Sequence, residues 1–144
     1  MSFFSQAQQT INIGAASAQW EIRTNSLTRS AIMEVGLTTV TAASVSVGLG
    51  RPAIMGNTPY ISFNFLPEYG TEGLSTSQTI LVLSQQINPT APVNFFRRVF
   101  GLSGIGNGII WTFKRGLVIP ISGSMVLWNI AASAQLSTWV QVKE

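Results

Sequence analysis

Apolar residues in this chain come in short runs that alternate with polar ones and stop at Gly, Pro, Ser or Asn. The last third carries the pattern most densely. Gly101-Leu-Ser-Gly-Ile-Gly-Asn-Gly108 leads into Ile109-Ile-Trp-Thr-Phe113. Lys114-Arg-Gly116 separates this run from Leu117-Val-Ile-Pro120. Met125-Val-Leu-Trp-Asn129 follows, then a small-residue turn at 131–134, then Gln135 to Val142. Short runs rich in β-branched and aromatic residues, each closed by a turn former, predict antiparallel strands joined by tight connections. Gly116 to Val142 has no charged residue, but Pro120, Ser122, Gly123, Asn129, Gln135 and Gln141 interrupt it too often for a membrane span of about 20 apolar residues.

The same periodicity runs back through the chain. Gln19 to Thr24 alternates strictly, with Trp20, Ile22 and Thr24 opposing Gln19, Glu21 and Arg23, as in a half-buried strand. Thr10-Ile-Asn-Ile-Gly14 reads as a first strand. Ala31 to Val35 suits a strand or a helix start, and the β-branched density of the following Gly36 to Thr41 favours strand. Val45–Leu49, Tyr60–Phe65 and Asn94–Phe100 alternate as strands. In the last of these, Phe96, Arg98 and Phe100 oppose Phe95, Arg97 and Val99. Ser77 to Ser84 has a continuous apolar centre, the mark of a strand buried on both faces. Breaker-rich connections fall at 50–59, 66–73 and 85–92. The pattern predicts roughly nine or ten strands in an all-β sandwich or barrel, without a helix of useful length. Residues 1–9 are rich in Gln and Ser around Phe3 and Phe4. They read as a short arm, either frayed or docking two aromatics on a neighbour, ahead of a domain spanning 10–144. They have neither the basic start nor the apolar core of a signal peptide.

Composition narrows the chemistry. The 144 residues suit a single domain with its own core. There is no Cys, no His and no Asp. Disulfides, thiolate and imidazole metal sites, and Ser-His-Asp or Cys-His catalysis are thereby removed, and an enzyme is not expected. Nor is a cofactor or metal. Charged residues make up only 9% of the chain, against about 25% in a typical domain. The surface must then be mostly Ser, Thr, Asn, Gln and Gly, which charge repulsion protects weakly against association. This predicts a permanent member of an assembly. The net charge of +3 is uneven: residues 1–72 hold three Arg and four Glu, whereas 73–144 hold five cations and one Glu. The pairs Arg97-Arg98 and Lys114-Arg115 are not a continuous run. Subunit salt bridging is favoured over direct nucleic-acid binding.

The remaining motifs have ordinary readings. Gly101–Gly108 lacks the Gly-Lys-Ser/Thr ending and following helix of a phosphate loop, and Asn107-Gly108 is a good hairpin turn. Glu68 and Glu72 read as a solvated loop rather than a glycosidase pair. Glu21 and Glu34 could face inward only if paired with an Arg, and Arg23 and Arg29 are available. Trp20, Trp111 and Trp128 suit a core or interface. Trp139 shares its strand face with Ser137 and Gln141, which makes it the leading candidate for an aromatic covered by a partner.

The stretch Val93-Asn-Phe-Phe-Arg-Arg-Val, then Gly108-Ile-Ile-Trp-Thr-Phe-Lys-Arg-Gly-Leu-Val-Ile-Pro, then Gly-Ser-Met-Val-Leu-Trp-Asn-Ile-Ala-Ala resembles small virion proteins of tailed bacteriophages. The resemblance covers residues 51–144. It is to capsid decoration (cement) proteins. It implies a jelly-roll-like antiparallel β-sandwich, a homotrimer, and a place on the capsid exterior bridging neighbouring major capsid proteins. It implies no catalytic residue, cofactor or membrane. The interface candidates are Phe3, Phe4, Arg97, Arg98, Lys114, Arg115 and Trp139. A tail, neck or baseplate component of the same fold, or a carbohydrate-binding module using Trp139 or Tyr69, is the alternative.

Overall fold

A computed structural model describes residues 2–11, 14–41, 43–57, 59–68, 77–83, 87–131, 133 and 135–144. Among them eleven strands and no helix occur: β1 (Phe3–Gln9), β2 (Ser17–Arg23), β3 (Ser30–Thr39), β4 (Val45–Gly50), β5 (Ile61–Asn64), β6 (Leu66–Pro67), β7 (Ile80–Leu83), β8 (Phe95–Leu102), β9 (Gly108–Ile119), β10 (Ser124–Ala131) and β11 (Leu136–Lys143). They form two antiparallel sheets. The first has the order β6-β1-β11-β3-β9 and the second β5-β7-β2-β10-β4-β8. The chain is an all-β sandwich.

The inner faces meet in one core. Trp20, Ile22, Leu49, Leu81, Met125 and Leu127 of the second sheet belong to the same buried cluster as Phe4, Ile32, Val35, Leu37, Trp111 and Val140 of the first. Each such side chain contributes about 1.5–3 kcal/mol of burial. In β11 the alternation is complete: Leu136, Thr138, Val140 and Val142 are buried, and the residues between them are half-exposed. Ala31–Val35 is strand, continuous with Gly36–Thr39 in β3. The apolar centre of β7 is buried, at Leu81, Val82 and Leu83. Ser84 lies outside the described residues.

Three parts of the chain depart from expectation. Residues 3–9 are not an arm. They form β1, paired along its length with β11 from Phe3↔Lys143 to Gln9↔Ser137, and Phe4 is 2% exposed in the core. Thr10, Ile11 and Gly14 are not strand; Asn12 and Ile13 lie outside the described residues. The buried row of β1 holds a glutamine, Gln6, whose Nε2 donates to the Asn64 carbonyl, so the row does not read as apolar. Second, the runs 109–113 and 117–120, apart from Pro120 just past the end, lie in one strand, β9. Ile32 pairs with Leu117 and Glu34 with Thr112, so Phe113–Gly116 bulge out opposite the single residue Met33. Gly116 adopts φ 79° there, with Ala31 and Met33 too close to admit a side chain. Third, β2 is not half-buried. Gln19, Trp20, Glu21 and Ile22 are all buried.

That third difference has a long-range cause. The outer face of the second sheet is covered by the chain itself. The β4–β5 and β7–β8 connections are joined by Thr90 N–H to the Ile54 carbonyl and by an Asn57↔Ile87 bridge. Pro92 seats over Gly50 and the Phe95 ring over Gly48. Beneath them Val82, Glu21 and Val126 stand in register and are fully buried. Glu21 is neutralised as a buried acid must be. Arg23 Nε donates to its Oε1 at 2.5 Å and Ser124 Oγ to its Oε2 at 3.1 Å. Arg23 also donates to the Gly56 carbonyl of the cover and stacks on Tyr60.

Candidate assembly surface

The outer face of the first sheet has no such cover among the described residues. Register places three rows of side chains across it. One row is Ser5, Gln141, Glu34 and Thr112. The next is Ala7, Trp139, Gly36 and Ile110. The third is Gln9, Ser137, Thr38 and Gly108. The first row is knitted by polar contacts. Gln141 Nε2 donates to both oxygens of Glu68 at 3.0 and 2.9 Å, and Ser5 Oγ donates to the same carboxylate. Glu68 is exposed and outside the strands, as expected of a loop residue, and is also tied to the sheet face, while Tyr69 and Glu72 lie outside the described residues. Trp139 lies flat on the face. Its ring covers Gly36, and its indole N–H donates to Glu34 Oε1 at 2.9 Å. Glu34 therefore serves the surface and Glu21 the interior. A depression of about 450 Å³ opens beside the indole, lined by Leu37, Thr38, Gly108, Ile109 and Ile110.

A second surface is the side of the sandwich where β8 ends the second sheet and β9 ends the first. Arg97, Arg98, Lys114 and Arg115 are gathered here, all exposed. Arg51 joins them, donating to the Val118 carbonyl at 2.6 Å. The guanidiniums of Arg51, Arg97 and Arg98 lie over the rings of Phe96, Phe113 and Phe100 at 4.7, 5.0 and 4.8 Å, within cation–π range. The Arg97–Phe113 pair spans the two edge strands. None of the five cations forms an ion pair with a described residue.

Two bulges shape β8. Phe96 is an extra residue between the pairs Leu49↔Arg97 and Gly50↔Phe95. Phe100 and Gly101 together oppose Ser46. The first bulge flips Phe95 to the covered face over Gly48, so it does not share a face with Arg97 and Val99 as strict alternation requires. The second leaves Phe100 56% exposed. Bulges and cations along an edge strand block pairing with a foreign strand.

Of the residues singled out from the sequence, the four cations come together and Trp139 stands on the open face. Phe3 is half-buried in β1 and Phe4 is in the core, so Phe4 is withdrawn as an interface residue. The sequence does not single out Arg51, Phe96, Phe100, Phe113, Glu34 and Glu68 as members of these two surfaces. Gly36 was the available signal, because a glycine inside a strand marks close approach by another group. No group of three or more acidic residues gathers among the described residues. No described helix is long and apolar enough to cross a membrane. No protein family, curated protein or solved structure matches the chain.

Proposed function

We propose that this chain is a non-enzymatic structural subunit of a tailed-phage virion, a decoration or cement protein that trimerises and bridges neighbouring capsid subunits on the shell exterior. The observation that carries the reading is the inequality of the two sheets. One outer face is covered by the chain's own connections; the other is left open by the described residues and carries polar side chains, Glu34 and Glu68 among them, around a flat tryptophan. A surface with so few charges suits burial against neighbours. Strand order supports the jelly-roll-like form. With β5–β7 set aside, the orders are β1-β11-β3-β9 and β2-β10-β4-β8. Eight strands in two Greek keys make such a sandwich. Modest contacts repeated around a shell act together.

Shells lacking the protein are the direct test. Purified protein should bind them saturably and raise their resistance to heat or chelator. Binding confined to tails would favour a tail, neck or baseplate component. A carbohydrate-binding module is favoured by one observation, the flat indole beside a depression. Specific glycan binding lost in Trp139→Ala, without shell binding, would replace the virion reading.

A further inference from the structure

We infer that a second copy of this chain docks the open face of its first sheet onto the β8–β9 edge, so that the subunits associate head to tail. This deepens the trimer reading above and rests on it for ring size only. Arg51, Arg97, Arg98, Lys114 and Arg115 crowd one edge with no described carboxylate paired to them. Glu34 and Glu68 stand in one row of the open face and are held by neutral donors, Trp139, Gln141 and Ser5. Lys143, at the end of that face, forms no ion pair with a described residue either. Like charges sharing a surface repel across a Debye length of about 8–10 Å. Bringing the acid row of one copy to the basic edge of another relieves both surfaces.

Apolar chemistry points the same way. Phe96, Phe100 and Val118 are exposed at the edge, while Trp139 and Ile110 are available on the face. Aromatic residues with Arg are the composition of interface centres. The bulges in β8 and β9 disfavour continuation of a sheet across copies, so side chains make the contact, edge against face. Five strands about 4.8 Å apart and some seven residues long present roughly 500 Å². This is modest for one contact, but each member of a ring makes two. A two-fold contact through the basic edge alone would set like charges together. A contact between two different surfaces is heterologous, and it gives a ring where the rotation between copies closes and an open filament where it does not.

Analytical ultracentrifugation of the full chain tests this with two variants. One is the edge variant Arg97→Ser/Arg98→Ser/Lys114→Ser/Arg115→Ser, and the other the face variant Glu34→Gln/Glu68→Gln. The native chain should associate at low salt and weaken by at least about tenfold between 50 and 500 mM salt. Each variant alone should be monomeric. Mixed, the two should form a 1:1 heterodimer, because one retains the face and the other the edge; this also shows that both are folded. A monomeric native chain, a face variant that associates like the native chain, or a mixture that stays monomeric would overturn the inference. Loss of shell binding in the edge variant alone, with the face variant unaffected, would assign the edge to a foreign acidic partner. A monomer that still binds shells would overturn the docking and leave the virion reading standing; a ring that ignores shells would do the reverse.

Discussion

The indole of Trp139 occupies the space in which a side chain on Gly36 would begin: a Cβ there would lie 2.0 Å from ring atom Cζ2. The two residues pair directly across β11 and β3. Gly36→Ala must lift the ring and strain its bond to Glu34, at an expected cost of about 1–3 kcal/mol. With Trp139→Ala in place the obstacle is gone, and Gly36→Ala should instead gain about 0.5–1 kcal/mol, the ordinary advantage of alanine in a strand. Urea denaturation of the four-member cycle checks the change of sign. Equal effects in both backgrounds would remove Trp139 from Gly36.

Arg23 is the cationic partner of a fully buried acid. Arg23→Ala leaves the Glu21 carboxylate without that charge and should cost about 3–5 kcal/mol. Adding Glu21→Gln should recover much of the loss, since an amide is cheaper to bury than a charge. Chemical denaturation of the single and double variants measures this.

The status of residues 3–9 as a structural strand gives a sharp test. Phe4→Ala should cost about 3–5 kcal/mol. Phe3→Ala, half-buried at the margin, should cost less. Calorimetric melting of the two variants compares them, and a similar small effect from both would return the segment to an arm.

Ala16 adopts φ 59° while its N–H donates to the Asn129 carbonyl at 2.9 Å. An alanine in the left-handed region is disfavoured by about 1–2 kcal/mol. Ala16→Gly should raise stability by about 0.5–1 kcal/mol despite its entropic cost, and Ala16→Val should lower it. Thermal melts of the pair read both directions.

What could be read from the sequence follows from locality. β11 announces itself because its buried and half-exposed positions alternate, and β10 because Met125 to Trp128 is a continuous apolar run, buried throughout. β1 does not, because its buried row includes Gln6, whose partner is Asn64, far along the chain. β2 reads as half-buried because Gln19 and Glu21 are polar, and nothing local tells that the connections at 51–60 and 87–94 fold over them. The Lys114-Arg-Gly116 break is visible, but its nature as a bulge in one strand depends on register with Met33. Trp139 is legible as a surface aromatic from its own strand; its seat on Gly36 and its bond to Glu34 are contacts of the folded sheet. The gathering of Arg51 with the two basic pairs also required the closed sandwich.

β11 lies between β1 and β3 in the first sheet. Those two strands emerge early in synthesis, yet neither can pair with the other. Each waits with an open edge until more than a hundred further residues have been made. Sheets completed by such distant pairings fold slowly. Until β11 arrives, β1 and β3 each keep an unpaired edge that a wrong strand can fill, and the exposure lasts longest for the pairing of greatest separation along the chain, β1 with β11.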